Sequence, residues 1–145
     1  DDAPRLSFVR SPVTVSIHGD IPNEIEIPVH PNHESMGKRI ISMQNNQIMI
    51  EKEDAGNPTY RLKEFADINE GGHLGSISRS DKRSIIHWVS ADSSTEATLT
   101  LPLQENIEHI KGRVEHHNHP IGTIVQLERI GYAIIREDDF LLMHE

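Results

Sequence analysis

Ten histidines in 145 residues raise metal ligation first. His116-His117-Asn118-His119 and His30-Pro31-Asn32-His33 are the dense clusters. Zinc needs three or four converging ligands, with imidazole nitrogens at about 2.0–2.1 Å. Neither cluster has helical His-x-x-x-His spacing, the chain has no cysteine, and both clusters lie in Pro- and Asn-bearing loop sequence. They read as solvated loop histidines, and no metal site is expected. Nucleophilic catalysis finds no Gly-x-Ser-x-Gly elbow and no thiol. Glu70, Asp138 and Asp139 come nearest to an acid/base set, but loop carboxylates are ordinarily solvated. Gly71-Gly72 and Gly75 lack the Gly-Lys-Ser/Thr of a phosphate-binding loop. No catalytic or cofactor-binding residue is expected in this chain.

A set of long polar side chains on strand-like sequence remains. Gln126 and Arg129 flank Leu127-Glu128 and run into Gly131-Tyr132. Arg and Gln can grip a base edge through two hydrogen bonds at once, and sequence-specific RNA recognition usually targets splayed, single-stranded bases. Spacing alone favours the plainer reading, an ion pair of Arg129 with Glu128 or another carboxylate.

The elements that would carry these residues are strands. Val13, Val15 and Ile17 alternate with Thr14, Ser16 and His18, within a strand predicted over Ser7–His18. Ile25, Ile27 and Val29 alternate with Glu24, Glu26 and Pro28, and a period of two marks an antiparallel strand with one wet face. Pro28 belongs at an edge or strand end, having no N–H for a ladder. Further strands are predicted over Lys38–Met43, Gln47–Glu53, Tyr60–Ile68, around Ile77, Lys82–Ser90, Ala97–Leu103, Gly112–Glu115 and Phe140–Met143. A hairpin of Gly122–Arg129 with Tyr132–Glu137 turns at Ile130-Gly131, and Asn106–Ile110 could be one helical turn. Arg83–Ala91 holds the only tryptophan among six aromatic residues. It reads as a buried strand, with Trp88 packing in a core rather than stacking on a base. Many short strands with frequent turn signals predict an all-β chain with little helix.

Composition narrows the function classes. A hydrophobic content of 35 % with few aromatics leaves the core to Ile, Val and Leu, and two separate compact units would each have a thin core. No apolar run approaches the ~20 residues of a membrane span, and the polar start Asp-Asp-Ala-Pro-Arg is not a signal peptide. Absence of cysteine fits a cytoplasmic protein. With no methionine at the start, the chain reads as part of something larger. The net charge of −9, from 14 basic and 23 acidic residues, argues against a general nucleic-acid binder, which carries a basic field. DNA and membrane are not expected partners. A localised basic face is compatible with this balance, and the histidines add positive charge as pH falls towards ~6.5.

Several collinear segments together resemble one family. Ile86-His87-Trp88-Val89 resembles a motif in the C-terminal region of the glutaminyl- and archaeal-type glutamyl-tRNA synthetases of class I. Ala3-Pro4-Arg5 resembles the start of that anticodon-binding region. Ile27 to His33 with Gly37-Lys38-Arg39 is similar to its Pro-x-His-Pro-x-His and Gly-x-Arg loop. Ile50-Glu51-Lys52-Glu53-Asp54-Ala55 and Tyr60-Arg61-Leu62-Lys63 resemble two of its strands. Val125 to Tyr132 resembles its Gln-Phe-Glu-Arg-x-Gly-Tyr/Phe hairpin.

The resemblance implies two small antiparallel β-barrels, proximal and distal, that read the anticodon loop of tRNA. It makes residues 1–145 an anticodon-binding region, with a boundary somewhere in 60–84 and room for strands exchanged between the halves. It assigns anticodon contacts to Arg5, Gln126 and Arg129, with Arg61 and Lys63 as weaker candidates where the alignment loosens. It implies a parent enzyme that ligates glutamate to tRNA using ATP with Mg on an N-terminal Rossmann-type domain. The His-Ile-Gly-His and Lys-Met-Ser-Lys-Ser type motifs of that domain are absent here, so this stretch alone is not expected to be catalytic. The glutamyl branch is favoured because glutaminyl enzymes continue past the hairpin with Asn-Arg-Thr and Leu-Arg-Asp segments. A glutaminyl domain and a noncatalytic β-barrel docking module are the alternatives, the latter suited by the acidic edge Glu24-Ile25-Glu26-Ile27. A small hydrolase has only scattered polar residues behind it.

Overall fold

Ser11 is the corner at which the chain leaves one sheet for another. A computed structural model describes residues 1–144. In chain order the strands are β1 (Arg5–Leu6), β2 (Phe8–Arg10), β3 (Pro12–Ser16), β4 (Glu24–Pro28), β5 (Lys38–Ser42), β6 (Gln47–Glu51), β7 (Tyr60–Leu62) and β8 (Ala66–Asn69). They continue with β9 (His73–Gly75), β10 (Ile85–Ile86), β11 (Val89–Ser90), β12 (Ser94–Pro102), β13 (Ile107–Glu115), β14 (Ile124–Leu127), β15 (Gly131–Ile135) and β16 (Phe140–His144). Helix is limited to single 3-10 turns at Glu34–Met36 and Asp54–Gly56 among the described residues. The chain is all-β with little helix, and none of its helices is long and apolar enough to cross a membrane.

Two buried clusters organise these strands. The first contains Ile17, Ile25, Ile27, Ile41, Ile48, Ile50, Leu62, Ile68, Ile86 and Trp88. It sits among three small sheets, ordered β11-β6-β3, β10-β7-β8-β9 and β4-β5. The second contains Leu6, Phe8, Leu99, Val114, Val125, Leu127, Ala133, Ile135, Phe140 and Leu142. Its seven-stranded sheet runs β1-β14-β15-β16-β12-β13-β2. The strands therefore do not close into a single barrel. The sheet of the second core takes both its outer strands, β1 and β2, from the start of the chain.

The predicted strand Ser7–His18 is broken for a backbone reason. Ser11 has φ +46°, a left-handed conformation uncommon for residues other than glycine. Its N–H donates to Lys111 O at 3.2 Å, on β13, while its carbonyl accepts from Lys52 N at 3.2 Å, just past β6. β2 consequently pairs with β13 and β3 with β6. The return passage lies between Ser90 and Ser94. Ala91 N bonds Gln47 O at 3.0 Å on the first side, and His116 N bonds Ser93 O at 2.9 Å on the second.

Other element expectations shift for similar reasons. Tyr60–Ile68 is a hairpin, β7 and β8, because Glu64 takes φ +64° in the turn. Ile77 lies outside any strand. Asn106–Ile110 contains no helical turn. Ile107 onward extends β13, held in register from Pro102↔Ile107 to Ser94↔Glu115 against β12. The tryptophan stretch is two short strands. β10 pairs in parallel with β7 and β11 antiparallel with β6, leaving His87 and Trp88 between ladders. Trp88 is 3 % exposed in the first core, lies against Phe65 at 5.3 Å between ring centroids, and donates Nε1–H to Lys63 O at 3.0 Å. Pro28 ends β4 in the two-stranded sheet, where its missing N–H costs no ladder bond.

Candidate nucleic-acid interface

The two ends of the chain meet at β1. Its register against β14 sets Arg5 opposite Gln126 and Leu6 opposite Leu127. The pairing is parallel, fixed by Gln126 N to Pro4 O at 2.9 Å and Glu128 N to Leu6 O at 3.0 Å. Leu6 and Leu127 are buried in the second core, and because successive strand side chains face opposite ways, Arg5 and Gln126 share the outer face. Gln126 also pairs with Tyr132 across the hairpin. Arg5 Nη1 donates to Asp1 Oδ2 at 3.1 Å and Ala3 O at 2.9 Å, and Tyr132 OH donates to the same Asp1 oxygen at 2.7 Å. Gln126 Oε1 is buried with no hydrogen-bond partner among the described residues. A buried acceptor left unmatched is costly, and an incoming N–H would relieve it.

Arg129 sits past the end of β14 with φ +64°. Its guanidinium grips Asp54 end-on, Nη1 to Oδ2 at 2.9 Å and Nη2 to Oδ1 at 3.3 Å. Nη1 also stands 3.1 Å from His87 Nδ1. Asp54 is buried, while the Arg129 side chain keeps 41 % of its surface exposed. An arginine has five donors in a fixed fork, and those of the Nε side of Arg129 have no partner among the described residues. The Asp54 contact fixes the plane of the guanidinium and leaves that second edge for a ligand. Arg129 does not pair with its neighbour Glu128.

Glu128 points instead into the seam between the two cores. Arg39 Nη2 reaches it at 2.8 Å and Lys63 Nζ at 2.9 Å, while Arg39 Nη1 bonds Glu115 at 2.5 Å. Glu115 also accepts from Ser7 N at 2.7 Å, and Arg39 Nε donates to Pro28 O at 3.2 Å. Both carboxylates are at least nine-tenths buried. Burial pushes the Glu115 carboxyl above its ordinary value despite Arg39. For Glu128 burial acts the same way, but Arg39 and Lys63 together outweigh it and hold the carboxyl low.

A second group lies deeper in the seam. Arg10 holds Glu51 through Nε to Oε2 at 2.8 Å and Nη2 to Oε1 at 3.0 Å, and its backbone N–H adds 2.9 Å to Oε2. His87 Nε2 stands 3.0 Å from Glu51 Oε2 but off the axis of a good hydrogen bond. Burial opposes the Glu51 charge, yet His87 and Arg10 draw the carboxyl down from 4.5 to about 2. Ligand atoms of Glu51, Asp54 and His87 lie within 4.8 Å of one another, a trio drawn from neither histidine cluster. Arg10 and Arg129 already balance its two carboxylates.

Of the two weaker candidates, Arg61 is turned inward. It bonds Asp67 at 2.6 Å, Ser78 O at 2.7 Å and Asp81 O at 3.1 Å, tying down the loop between β9 and β10. Lys63 is half-exposed beside Glu128. Arg39, Glu115, Glu51 and Asp54 were not legible as a site in the sequence. Arg39, Glu51 and Asp54 do lie inside segments that carry the resemblance, Gly37-Lys38-Arg39 and Ile50 to Ala55, but without any role attached to them.

Known proteins resemble this chain along most of its length. Residues 3–75 and 85–136 each match a family model described as tRNA synthetases class I (E and Q), anti-codon binding domain, and the chain belongs to that family. Among its relatives, it is 29 % identical over 143 residues to a glutamate–tRNA ligase of Methanothermobacter thermautotrophicus, covering 92 % of this chain and 25 % of the relative. A glutamate–tRNA ligase of Pyrococcus furiosus is 30 % identical over 150 residues, with 92 % and 26 % covered. One of Natronomonas pharaonis is 30 % identical over 149 residues, with 96 % and 25 % covered. The chain spans about a quarter of the length of the curated relatives it matches.

Proposed function

We propose that this chain reads the anticodon loop of glutamate tRNA for a cytoplasmic glutamate–tRNA ligase. The ligase would form the ester on a separate N-terminal catalytic domain using ATP and Mg, in protein synthesis. The two cores serve as the proximal and distal units, β1 and β2 being lent to the distal one. Arg5, Gln126 and Arg129 contact bases, and Lys63 lies near enough to the seam surface to meet a phosphate. Arg61 holds the loop between β9 and β10 in place for them. The observation that carries the reading is the parallel β1–β14 register, which brings Arg5 against Gln126 three residues ahead of an outward-facing arginine edge.

Arg129→Ala tests it. Filter binding of glutamate tRNA should weaken roughly 5- to 150-fold, the equivalent of ~1–3 kcal/mol for one lost base contact. Undiminished binding would remove Arg129 from the site. For Lys63→Gln the dependence of affinity on salt should flatten by about one unit in the log–log slope.

A further inference from the structure

A cleft of about 440 Å³ opens beside β1, with Leu6, Val29, Lys38, Ile40, His117 and His119 in its walls. That volume falls in the range of small-ligand sites, roughly 300–1,000 Å³. The cleft has three kinds of wall. Ile40, 54 % exposed, and the half-buried Val29 supply apolar surface over the buried Leu6. Lys38 supplies a cation at the rim, its side chain 61 % exposed and, among the described residues, paired through an exposed contact to Glu26 at 3.3 Å. His117 and His119 supply two flat rings, with centroids 5.5 Å apart and planes 23° from parallel.

The imidazole pair is built rather than incidental. His119 N–H donates to His117 Nδ1 at 3.1 Å, which makes that nitrogen the acceptor and fixes the tautomer of a neutral ring. Burial lowers the pKa of both rings, so near neutral pH they present uncharged faces. Of the other imidazole pairs, His18–His73 is tilted by 47° and His30–His33 by 62°. The larger aromatic rings are mostly occupied, and Phe140 packs edge-on against His117 at 6.0 Å between centroids. Phe8, Tyr60, Trp88 and Phe140 are buried, Phe65 packs on Trp88, and the Tyr132 hydroxyl is bound to Asp1. In this cleft a nucleobase finds its flat partner in these two histidines.

We propose that the cleft takes one unstacked nucleotide of single-stranded RNA, its base against the His117–His119 pair and its phosphate beside the Lys38 ammonium. Unpaired bases stack on aromatic and imidazole rings, and the ring pair, apolar wall and rim cation match base, ribose and phosphate in turn. Leu6 underlies the cleft from β1, the strand whose Arg5 stands opposite Gln126 on its other face, so the cleft adjoins the β1–β14 edge without sharing the Arg5 face. The inference rests on the anticodon-loop reading and assigns one further loop nucleotide.

The test uses a stem–loop RNA with the anticodon arm of glutamate tRNA, carrying 2-aminopurine at each loop position in turn. One position should lose fluorescence on binding to the whole chain. His119→Ala should abolish that quench and weaken binding roughly 5- to 150-fold, the fold-change expected for one lost base–aromatic stack. His119→Phe, which keeps a flat ring, should retain both quench and affinity, and Lys38→Gln should lower the salt slope by about one. Thermal melting of each variant separates loss of stacking from loss of folding. Tight binding with the quench intact in His119→Ala would overturn the cleft assignment and leave the anticodon reading standing. So would equal losses in the folded Ala and Phe variants. A stem–loop that does not bind the unaltered chain at all would overturn both.

Discussion

Glu51 concentrates the chemistry of the seam in one side chain. Three N–H groups of Arg10 and the ring of His87 face its carboxylate, and its pKa stands at about 2 against an ordinary 4.5. An acid held low when folded supplies stability that is complete above its unfolded pKa and is lost as pH falls through the folded one. Glu51 should therefore cost the protein stability progressively between about pH 4.5 and pH 2. Glu115, pushed up by burial, acts in the opposite sense, stability rising as pH falls through its folded pKa. The difference between the native chain and Glu51→Gln isolates the first effect. Urea midpoints of the two should converge as the buffer is taken from pH 5 to pH 2.5, and a constant gap would contradict the assignment.

Residue spacing made Glu128 and Arg129 look like a pair, and the turn geometry explains why they are not. Both lie in the turn after β14, where Arg129 takes φ +64°, so Glu128 enters the seam towards Arg39 and Lys63 while Arg129 turns to Asp54. The residues that the resemblance singled out were legible because motifs survive in order. Their partners were not, since Asp54 and Arg129 are brought together only by the meeting of the two cores.

At the scale of elements, alternation revealed most strands and hid the corners. β4, β12, β14 and β15 follow the apolar period closely, because each has one face on a core. Ser11 and Glu64, at left-handed φ, break two predicted strands without any glycine to mark the site. Asn106–Ile110 looked ambiguous because Glu108 and His109 interrupt the apolar pattern, and pairing with β12 decides it. Gly112 marks the point where β13 begins to pair with β2, opposite Arg10. A Cβ there would overlap the Val9 carbonyl oxygen and the Phe8 ring, neither of which can swing aside within the sheet. Gly112→Ala should destabilise the chain by ~1–3 kcal/mol, the usual penalty of overpacking, measured by urea unfolding. A loss under a few tenths of a kcal/mol would mean that β2 and β13 separate freely.

At the scale of the molecule, two hydrophobic cores are joined by buried charge. Arg39 from β5 of the first core bonds Glu115 of β13 and Glu128 beyond β14 in the second. Arg39→Met removes the cation from two buried carboxylates and should cost ~3–5 kcal/mol, the range for breaking a buried pair. Equilibrium unfolding reads it directly, and a change below 1 kcal/mol would show that the seam is held by other contacts. The sequence showed an all-β chain but not how its halves share strands. Parallel pairing of β1 with β14 joins opposite ends of the chain, and no local pattern encodes it.

The central claim is that this face distinguishes one anticodon from another. The most direct measurement is a titration of the whole chain with the anticodon stem–loop of glutamate tRNA, and with the same stem–loop carrying a scrambled anticodon, at one fixed salt concentration. The account predicts tighter binding of the native loop by roughly 5- to 150-fold, equivalent to the ~1–3 kcal/mol carried by a single base contact. Equal affinity for the two loops would contradict it.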